Sequence, residues 1–238
     1  MQQQLRYIER FVDGIRVIEI PGAPDAPTFF CMHGYGANAF DLAGLSQHLA
    51  FPSSTRYLFP DGILGVDAGF GNGRAWFPID WVEIERIRRE GGLRDLSKNL
   101  PLGMAEAREK VIGLLTKLSV DIDKTVIGGF SQGAMMATEI LLSHRLYFKG
   151  LILFSGTLVN RVGWQQLLQK KFMEQNKKLQ FIQSHGRFDP VLPFQAAEWL
   201  NQLLNDDGGR GELVAFDGQH EIPASVVEAT NRWLQSSL

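Results

Sequence analysis

The 238-residue sequence predicts an α/β fold in which a mostly parallel, twisted sheet begins with an antiparallel hairpin and carries helices on both faces. The hairpin is indicated by two alternating apolar runs, 6–12 and 15–20, that flank Asp13-Gly14, a pair suited to a type I′ turn with two positive φ angles. Later runs are apolar at successive positions, which is typical of parallel strands buried on both faces. These runs span residues 28–32, 57–59, 125–127, 151–154, 179–183 and 213–216.

Helical periodicity separates several of these strands. Four segments repeat apolar residues every three or four positions: 104–118, 133–144, 193–204 and 223–234. The last two have a proline near the first turn, where its missing N–H costs no hydrogen bond. Residues 61–102 form the longest irregular stretch, and we predict a long loop near the active site there, because such loops in compact domains are usually functional. Since no repeat or interdomain linker interrupts the chain, we predict a single domain over residues 1–238.

Composition narrows the classes of function. The net charge of −2 and the pI near 6.2 provide no basic field that would gather nucleic acid or anionic lipid. The lysines at 170, 171, 177 and 178 are expected to lie in a solvated stretch around a surface helix. A single cysteine, Cys31, cannot form an intrachain disulfide. The first residues lack the pattern of a signal peptide, and no apolar run approaches the length of a membrane span. We therefore expect a cytoplasmic protein.

The candidate nucleophile is Ser131, in the Gly-x-Ser-x-Gly motif of residues 129–133. The motif follows the apolar run 125–127 and precedes a helical pattern, which is the setting of a tight strand-to-helix turn that lifts a serine hydroxyl above the sheet. Such a turn needs very small side chains two positions before and two positions after the serine, because backbones approach closely there. A flexible glycine/serine loop is the alternative interpretation of the motif.

A serine hydroxyl needs a general base, and in this arrangement the acid and then the histidine follow the serine along the chain. His220 lies on the loop after the last predicted strand, where the base is expected, although an exposed loop histidine would also fit. Asp189 follows the preceding strand and is our candidate for the acid that orients the imidazole. Asp217 is the competing carboxylate, which we interpret as a turn residue.

The loop His33-Gly34-Tyr35-Gly36 follows the run 28–32 and is suited to an oxyanion hole. The expected donors are the backbone N–H groups of Tyr35 and Gln132, while His33 is expected to tether the loop by hydrogen bonds. Trp76 and Phe77, in the long irregular stretch, are candidates for lining the substrate pocket; a small core beneath that stretch is the alternative.

The motifs taken together resemble the phospholipase/carboxylesterase family of α/β-hydrolases, which includes bacterial carboxylesterases and acyl-protein thioesterases. The resemblance rests on residues 33–36, 76–80, 129–133, 186–193 and 218–223, which occur in the family's order. It implies the α/β-hydrolase fold and a triad of Ser131, Asp189 and His220 that acts on carboxylic esters or thioesters without a metal or other cofactor. The chain departs from the family pattern at Ala134 and at Val159, which bears on the substrate and not on the triad.

Three functions remain in competition. The leading prediction is an esterase that hydrolyses small-molecule esters with short to medium acyl chains through an acyl-enzyme on Ser131. An acyl-thioesterase or lysophospholipase would use the same triad with a different pocket. A non-catalytic ligand-binding protein on the same fold is a remote alternative, because a fold does not determine function. No nucleic acid partner is expected, and a homodimer is left open.

Overall fold

A sheet of eight strands forms the centre of the computed structural model, which describes residues 6–67, 71–92 and 95–237. Its strands are β1 Ile8–Val12, β2 Ile15–Ile20, β3 Thr28–Met32, β4 Arg56–Pro60, β7 Thr125–Phe130, β8 Gly150–Phe154, β9 Leu179–Gly186 and β10 Gly209–Phe216. Two further strands, β5 Leu64–Val66 and β6 Gly73–Ala75, pair separately. The α-helices are α1 Trp81–Arg89, α2 Met104–Lys117, α3 Gln132–Ser143, α4 Arg161–Leu168, α5 Phe194–Asp206 and α6 Ala224–Ser237. Short 3₁₀ helices span Ala43–Gln47 and Ile122–Lys124, and a π-helical turn spans Gln169–Met173.

The spatial order of the main sheet is β1-β2-β4-β3-β7-β8-β9-β10. The β1–β2 and β2–β4 pairs are antiparallel, and every pair from β4 to β10 is parallel. Asp13 and Gly14 have φ angles of 51° and 77°, so the predicted hairpin turn is confirmed in both position and backbone conformation. The predicted fold class, a mostly parallel sheet that starts with an antiparallel hairpin, is confirmed.

Helices cover both faces of the sheet, as predicted. Successive residues of one strand point to opposite faces, and β3 shows this clearly: Phe30 and Met32 join one hydrophobic core, Phe29 and Cys31 the other. The first core contains apolar residues of α2, α3, α4 and α5; the second contains those of α6 and of the segment 39–49. Burial on both sides explains why these strands are apolar at every position.

The segment 61–102 departs from the prediction of a long loop. It contains β5, β6 and α1, and β6 pairs with β5 through Leu64–Ala75, Gly65–Arg74 and Val66–Gly73. Residues 68–70 and 93–94 of this segment lie outside the described residues. Helix α4 was also not predicted, because its eight residues are few for the periodicity to be recognised.

This topology places the chemistry-bearing loops at one edge. The strands β3, β7, β9 and β10 run parallel, so the loops that follow their carboxyl ends meet at the same edge of the sheet. These loops carry the oxyanion-loop candidates, Ser131, Asp189 and His220. Among the described helices, none combines the length and apolar character needed to cross a bilayer.

Candidate active site

Ser131 occupies a sharp turn between β7 and α3. Its φ of 55° and ψ of −116° lie in a region that costs a non-glycine residue about 1–3 kcal/mol, so the surrounding structure has to impose this conformation. The two motif glycines provide the space. A Cβ at Gly133 would lie 2.0 Å from the carbonyl oxygen of Met32, and one at Gly129 would lie 2.6 Å from the same atom. The predicted strand-to-helix turn is therefore present, and the alternative of a flexible loop is not.

His220 and Asp189 come together across the loops after β9 and β10. Nδ1 of His220 lies 2.6 Å from Oδ2 of Asp189, and the side chain of Asp189 is fully buried. Because an ionised carboxylate only accepts hydrogen bonds, Nδ1 of His220 carries the proton and Nε2 is left as a base. Oδ1 of Asp189 accepts from the N–H groups of Val191 and Leu192 at 2.8 and 2.9 Å.

The hydrogen bonds keep Asp189 ionised in this buried position. Burial alone would raise the pKa of its carboxyl group, but hydrogen bonds from His185, His220 and the N–H of Leu192 outweigh burial and hold that pKa well below its usual range. The carboxylate is therefore charged at neutral pH and able to stabilise an imidazolium on His220.

The loops that carry His220 and Asp189 are docked on each other, close to the residue before Ser131. The N–H of Phe188 donates to the carbonyl of Gly218 at 3.0 Å. At Gly186 a Cβ would lie 2.1 Å from the carbonyl oxygen of Gln219, so the close approach of the His220 loop requires glycine. The ring of Phe130, the residue before Ser131, lies 4.7 Å from the His220 ring. The structure thus joins Asp189 and His220 directly and places the His220 ring against the residue that precedes Ser131.

His33 fixes the loop that contains Tyr35. Nε2 of His33 accepts from the N–H of Gly62 at 2.9 Å, so Nδ1 is the protonated nitrogen and donates to the carbonyl of Gly34 at 2.6 Å. Burial lowers the pKa of His33 to about 4, so the ring is neutral at pH 7. The prediction that His33 tethers this loop is confirmed by these two bonds.

Strand β6 supports the same loop from the other side. The N–H of Gly36 donates to the carbonyl of Arg74, and the N–H of Arg74 donates to the carbonyl of Ala37, both at 2.8 Å. Nε1 of Trp76 donates to the carbonyl of His33 at 2.9 Å. The segment that the sequence suggested as a loop near the site therefore serves as a scaffold for the predicted oxyanion loop.

Trp76 and Phe77 are the site residues that the structure corrects. Their side chains are 0% and 1% exposed and belong to the main hydrophobic core, so they do not line an open pocket. Their backbone contributes instead: the side chain of Gln132 accepts from the N–H of Trp76 at 2.8 Å and donates to the carbonyl of Phe77 at 2.7 Å. The alternative of a small core beneath this segment is not what the structure has either, because both side chains join the main core.

Comparison with known proteins identifies the family. The profile of the family described as Phospholipase/Carboxylesterase matches residues 13–238. The chain belongs to this family. Acyl-protein thioesterase 1 of Eremothecium gossypii is 26% identical to it over 226 residues, which cover 90% of this chain and 89% of the relative. As a member of the family the chain is an ester or thioester hydrolase, and the resemblance seen in the sequence is confirmed.

Solved structures agree with this assignment. The crystal structure of esterase PE8 is 26% identical, has a TM-score of 0.72 and covers 92% of this chain and 97% of its own. The Bacillus cereus carboxylesterase, at 17% identity and a TM-score of 0.69 over 94% and 95% of the two chains, shares the α/β fold.

A groove beside Asp189 was not predicted from the sequence. The groove holds about 390 Å³ and lies between α1 and the loop that carries Asp189, where its apolar lining includes Ile79, Trp81, Ile84 and Val191. Trp81 also donates from Nε1 to the Tyr35 hydroxyl at 3.2 Å, with the two rings 5.5 Å apart. The apolar residues of α1 were visible in the sequence, but only a helical interpretation of residues 81–89 would have placed them on one side.

In residues 6–67, 71–92 and 95–237, three or more His, Cys, Asp or Glu side chains do not come together in a way that could hold a metal ion. The expectation that the reaction needs no cofactor stays a prediction.

Proposed function

We propose that this family member is a serine esterase that hydrolyses small-molecule carboxylic esters, with Ser131 as nucleophile, His220 as general base and Asp189 as the orienting acid. The observation that carries the proposal is the 2.6 Å contact between Asp189 and His220 at the sheet edge where Ser131 holds a positive φ. A non-catalytic binding protein would have no need for a buried carboxylate paired with a histidine beside a strained serine.

The proposed reaction has two halves. Oγ of Ser131 attacks the ester carbonyl carbon while Nε2 of His220 takes the hydroxyl proton, which forms a tetrahedral intermediate. His220 then gives this proton to the leaving group, at the oxygen of an ester or the sulfur of a thioester, and an alcohol or a thiol departs. The acyl group stays on Ser131. Water attacks the acyl-enzyme with His220 again as the base, which releases the carboxylic acid and restores the serine hydroxyl.

The backbone N–H groups of Tyr35 and Gln132 are proposed to stabilise the negatively charged oxygen of the tetrahedral intermediate by donating hydrogen bonds to it. Gln132 is the first residue of α3, and the N–H groups of a first helical turn have no partner within the helix. The partial positive charge of that helix end favours the oxyanion further. Tyr35 lies on the loop that His33 and β6 hold in place, which is the rigidity that such a donor requires.

The acyl chain is proposed to occupy the groove between α1 and the Asp189 loop. Its volume of about 390 Å³ and its lining by Ile79, Trp81 and Val191 suit an apolar chain of short to medium length. A thioesterase is the second candidate, because a relative named acyl-protein thioesterase 1 covers 90% of this chain. Hydrolysis of matched acyl series, p-nitrophenyl esters and acyl thioesters of two to sixteen carbons, separates the two: the proposal expects kcat/KM to peak at short to medium esters.

Replacement of the nucleophile tests the function itself. Ser131→Ala is expected to abolish ester hydrolysis while the far-ultraviolet circular dichroism stays unchanged, and a fluorophosphonate reagent is expected to label the wild type once, at Ser131. Ser119→Ala is the matched control: Ser119 also has a positive φ, of 50°, but lies exposed beyond α2. Turnover by Ser131→Ala near that of the wild type, or labelling at another residue, would show that the proposed nucleophile is wrong.

A further inference from the structure

A second histidine, His185, reaches the acid of the proposed triad. It lies near the end of β9 with its side chain fully buried. Its Nε2 is 3.3 Å from Oδ2 of Asp189 and 3.0 Å from the carbonyl oxygen of Leu192. Because a carbonyl oxygen only accepts hydrogen bonds, Nε2 of His185 must carry a proton, and this N–H is shared between the carbonyl and the carboxylate.

The other ring nitrogen supports the same assignment. Nδ1 of His185 is buried and has no hydrogen-bond partner among the described residues. An N–H at this nitrogen would be a buried donor without an acceptor, which is more costly than a bare lone pair beside the apolar ring of Phe194, 6.1 Å away between centroids. The surroundings of His185 thus favour the single tautomer in which Nε2 carries the proton, between the carbonyl of Leu192 at 3.0 Å and Oδ2 of Asp189 at 3.3 Å.

The carboxylate of Asp189 is therefore surrounded by four N–H groups. Oδ1 accepts hydrogen bonds from the backbone N–H groups of Val191 and Leu192. Oδ2 lies 2.6 Å from Nδ1 of His220 and 3.3 Å from Nε2 of His185. With the backbone bonds alone, the carboxylate could tilt about its own axis and move Oδ2 away from His220. The buried His185, held by β9 and by the carbonyl of Leu192, restrains Oδ2 at a second point.

We propose that His185 is a positioning residue of the hydrolase: its Nε2–H holds Oδ2 of Asp189 in line with Nδ1 of His220. The inference rests on the proposed triad and adds a residue to it. His185 touches neither substrate nor nucleophile and acts only through the acid. The strong hydrogen bonding of Asp189, in which His185 takes part, is also what keeps this buried carboxylate ionised.

Three substitutions separate positioning from packing. His185→Gln keeps an amide N–H at the distance of Nε2, His185→Asn places its amide near the position of Nδ1, and His185→Leu keeps volume without any donor. His185→Asn and His185→Leu are expected to lower kcat for p-nitrophenyl ester hydrolysis about tenfold, the usual effect of one lost hydrogen bond to a charged group, with KM unchanged. His185→Gln is expected to rescue kcat to near the wild-type value. His48→Leu, at an exposed histidine outside the site, is the control.

A spectroscopic readout makes the test independent of turnover. In the Ser131→Ala background, the proton between His220 and Asp189 is expected to give a low-field proton resonance, which stays in His185→Gln and moves upfield in His185→Asn. If His185→Leu does not fold, the comparison of His185→Gln with His185→Asn still tests the positioning role. Equal kcat losses in Gln and Asn, or wild-type kcat and an unmoved resonance in Asn, would overturn the proposal. Turnover by the single variant Ser131→Ala would instead contradict the proposed function. The position of the proton resonance would then still test the role of His185.

Discussion

Asp189 and Asp217 show how far sequence reasoning reaches at the level of single residues. Both follow strands that end at the same edge, so their positions in the chain do not distinguish them. The structure does, because Asp189 is buried and bonded to His220, whereas the Asp217 side chain is 80% exposed and lies 3.5 Å from Nε of Arg187. Such an exposed ion pair contributes little to either stability or catalysis.

The two carboxylates make a matched pair for mutation. Asp189→Asn is expected to lower kcat by several orders of magnitude, up to about 10⁴-fold, because an amide can favour the wrong imidazole tautomer. Asp217→Asn is expected to leave kcat within about twofold of the wild type, since its side chain is exposed and its ion pair weak. Steady-state kinetics on one p-nitrophenyl ester, with circular dichroism of each variant, checks both values. Reversal of the two results would move the acid to Asp217.

Lys171 is a residue for which the prediction from sequence was wrong. It was expected to lie in a solvated basic stretch, yet Lys171 is only 7% exposed. Its Nζ donates to the carbonyl groups of Leu141, His144 and Leu146, where α3 ends. The lysine thus satisfies carbonyls that the end of a helix leaves without partners. The sequence does not show this contact, because it joins the π-helical turn Gln169–Met173 to the residues at the end of α3, about 25 to 30 positions earlier in the chain.

At the level of elements, the sequence predicted the main sheet because burial on both faces leaves a distinct apolar run for each central strand. It failed for β5 and β6, which have three residues each and show no periodicity that a pattern can detect. It also failed for α1, because this nine-residue helix lies within a stretch rich in glycine, which suggested a loop. As a consequence, the predicted lining residues Trp76 and Phe77 proved to lie in the core, and the groove lined by α1 was not predicted.

The junction between β9 and the His220 loop gives a prediction for an element. Gly186→Ala would place a Cβ 2.1 Å from the carbonyl oxygen of Gln219, so the loop has to move away from Asp189. We expect a large loss of kcat and a decrease of about 1–3 kcal/mol in the free energy of unfolding, the usual cost of overpacking. Ester hydrolysis and urea unfolding measure the two effects.

Gly113 provides the matched control for this substitution. It lies inside α2, and nothing comes within 4 Å of the position that its Cβ would take. Gly113→Ala is therefore expected to keep full activity and to stabilise the fold by roughly 0.5–1 kcal/mol, because alanine loses less backbone entropy in a helix. Full activity in Gly186→Ala would show that the two loops can separate without disturbing the base.

At the scale of the whole molecule, the site is assembled from segments far apart in sequence. The sharp turn at Ser131 was predictable because the strand, the glycines and the helix that form it are contiguous in the chain. The tethering role of His33 was predicted, but its bond to Gly62 was not, and neither were the bonds of Gln132 to the backbone of Trp76 and Phe77. A sequence motif shows which residue carries a reactive group. The contacts that hold this residue in place are seen only in the folded structure, where the sheet brings distant loops together.

His33, the buried histidine that tethers the loop of residues 33–36, makes the free energy of unfolding depend on pH. The folded protein protonates His33 only near pH 4, because burial lowers its pKa to about 4, while an unfolded histidine takes a proton near pH 6.5. Between these values the unfolded state binds more protons, so the free energy of unfolding falls as the pH drops from 6.5 to 4. The His33 contribution to this fall is about 3 kcal/mol. Asp189, whose folded pKa lies below its usual range, adds a loss at still lower pH.

Urea unfolding at pH 7.0 and pH 4.5 measures this dependence. His33→Asn is expected to be less stable than the wild type at pH 7, since it loses the bonds to Gly34 and Gly62, but to lose less stability on acidification. His48→Asn, at an exposed histidine, is expected to follow the wild-type curve at both values. The same acid-induced loss in His33→Asn as in the wild type would show that another group controls the acid sensitivity of the molecule. A smaller loss would show that the stability of the whole fold at acid pH depends on the histidine that tethers the loop of residues 33–36.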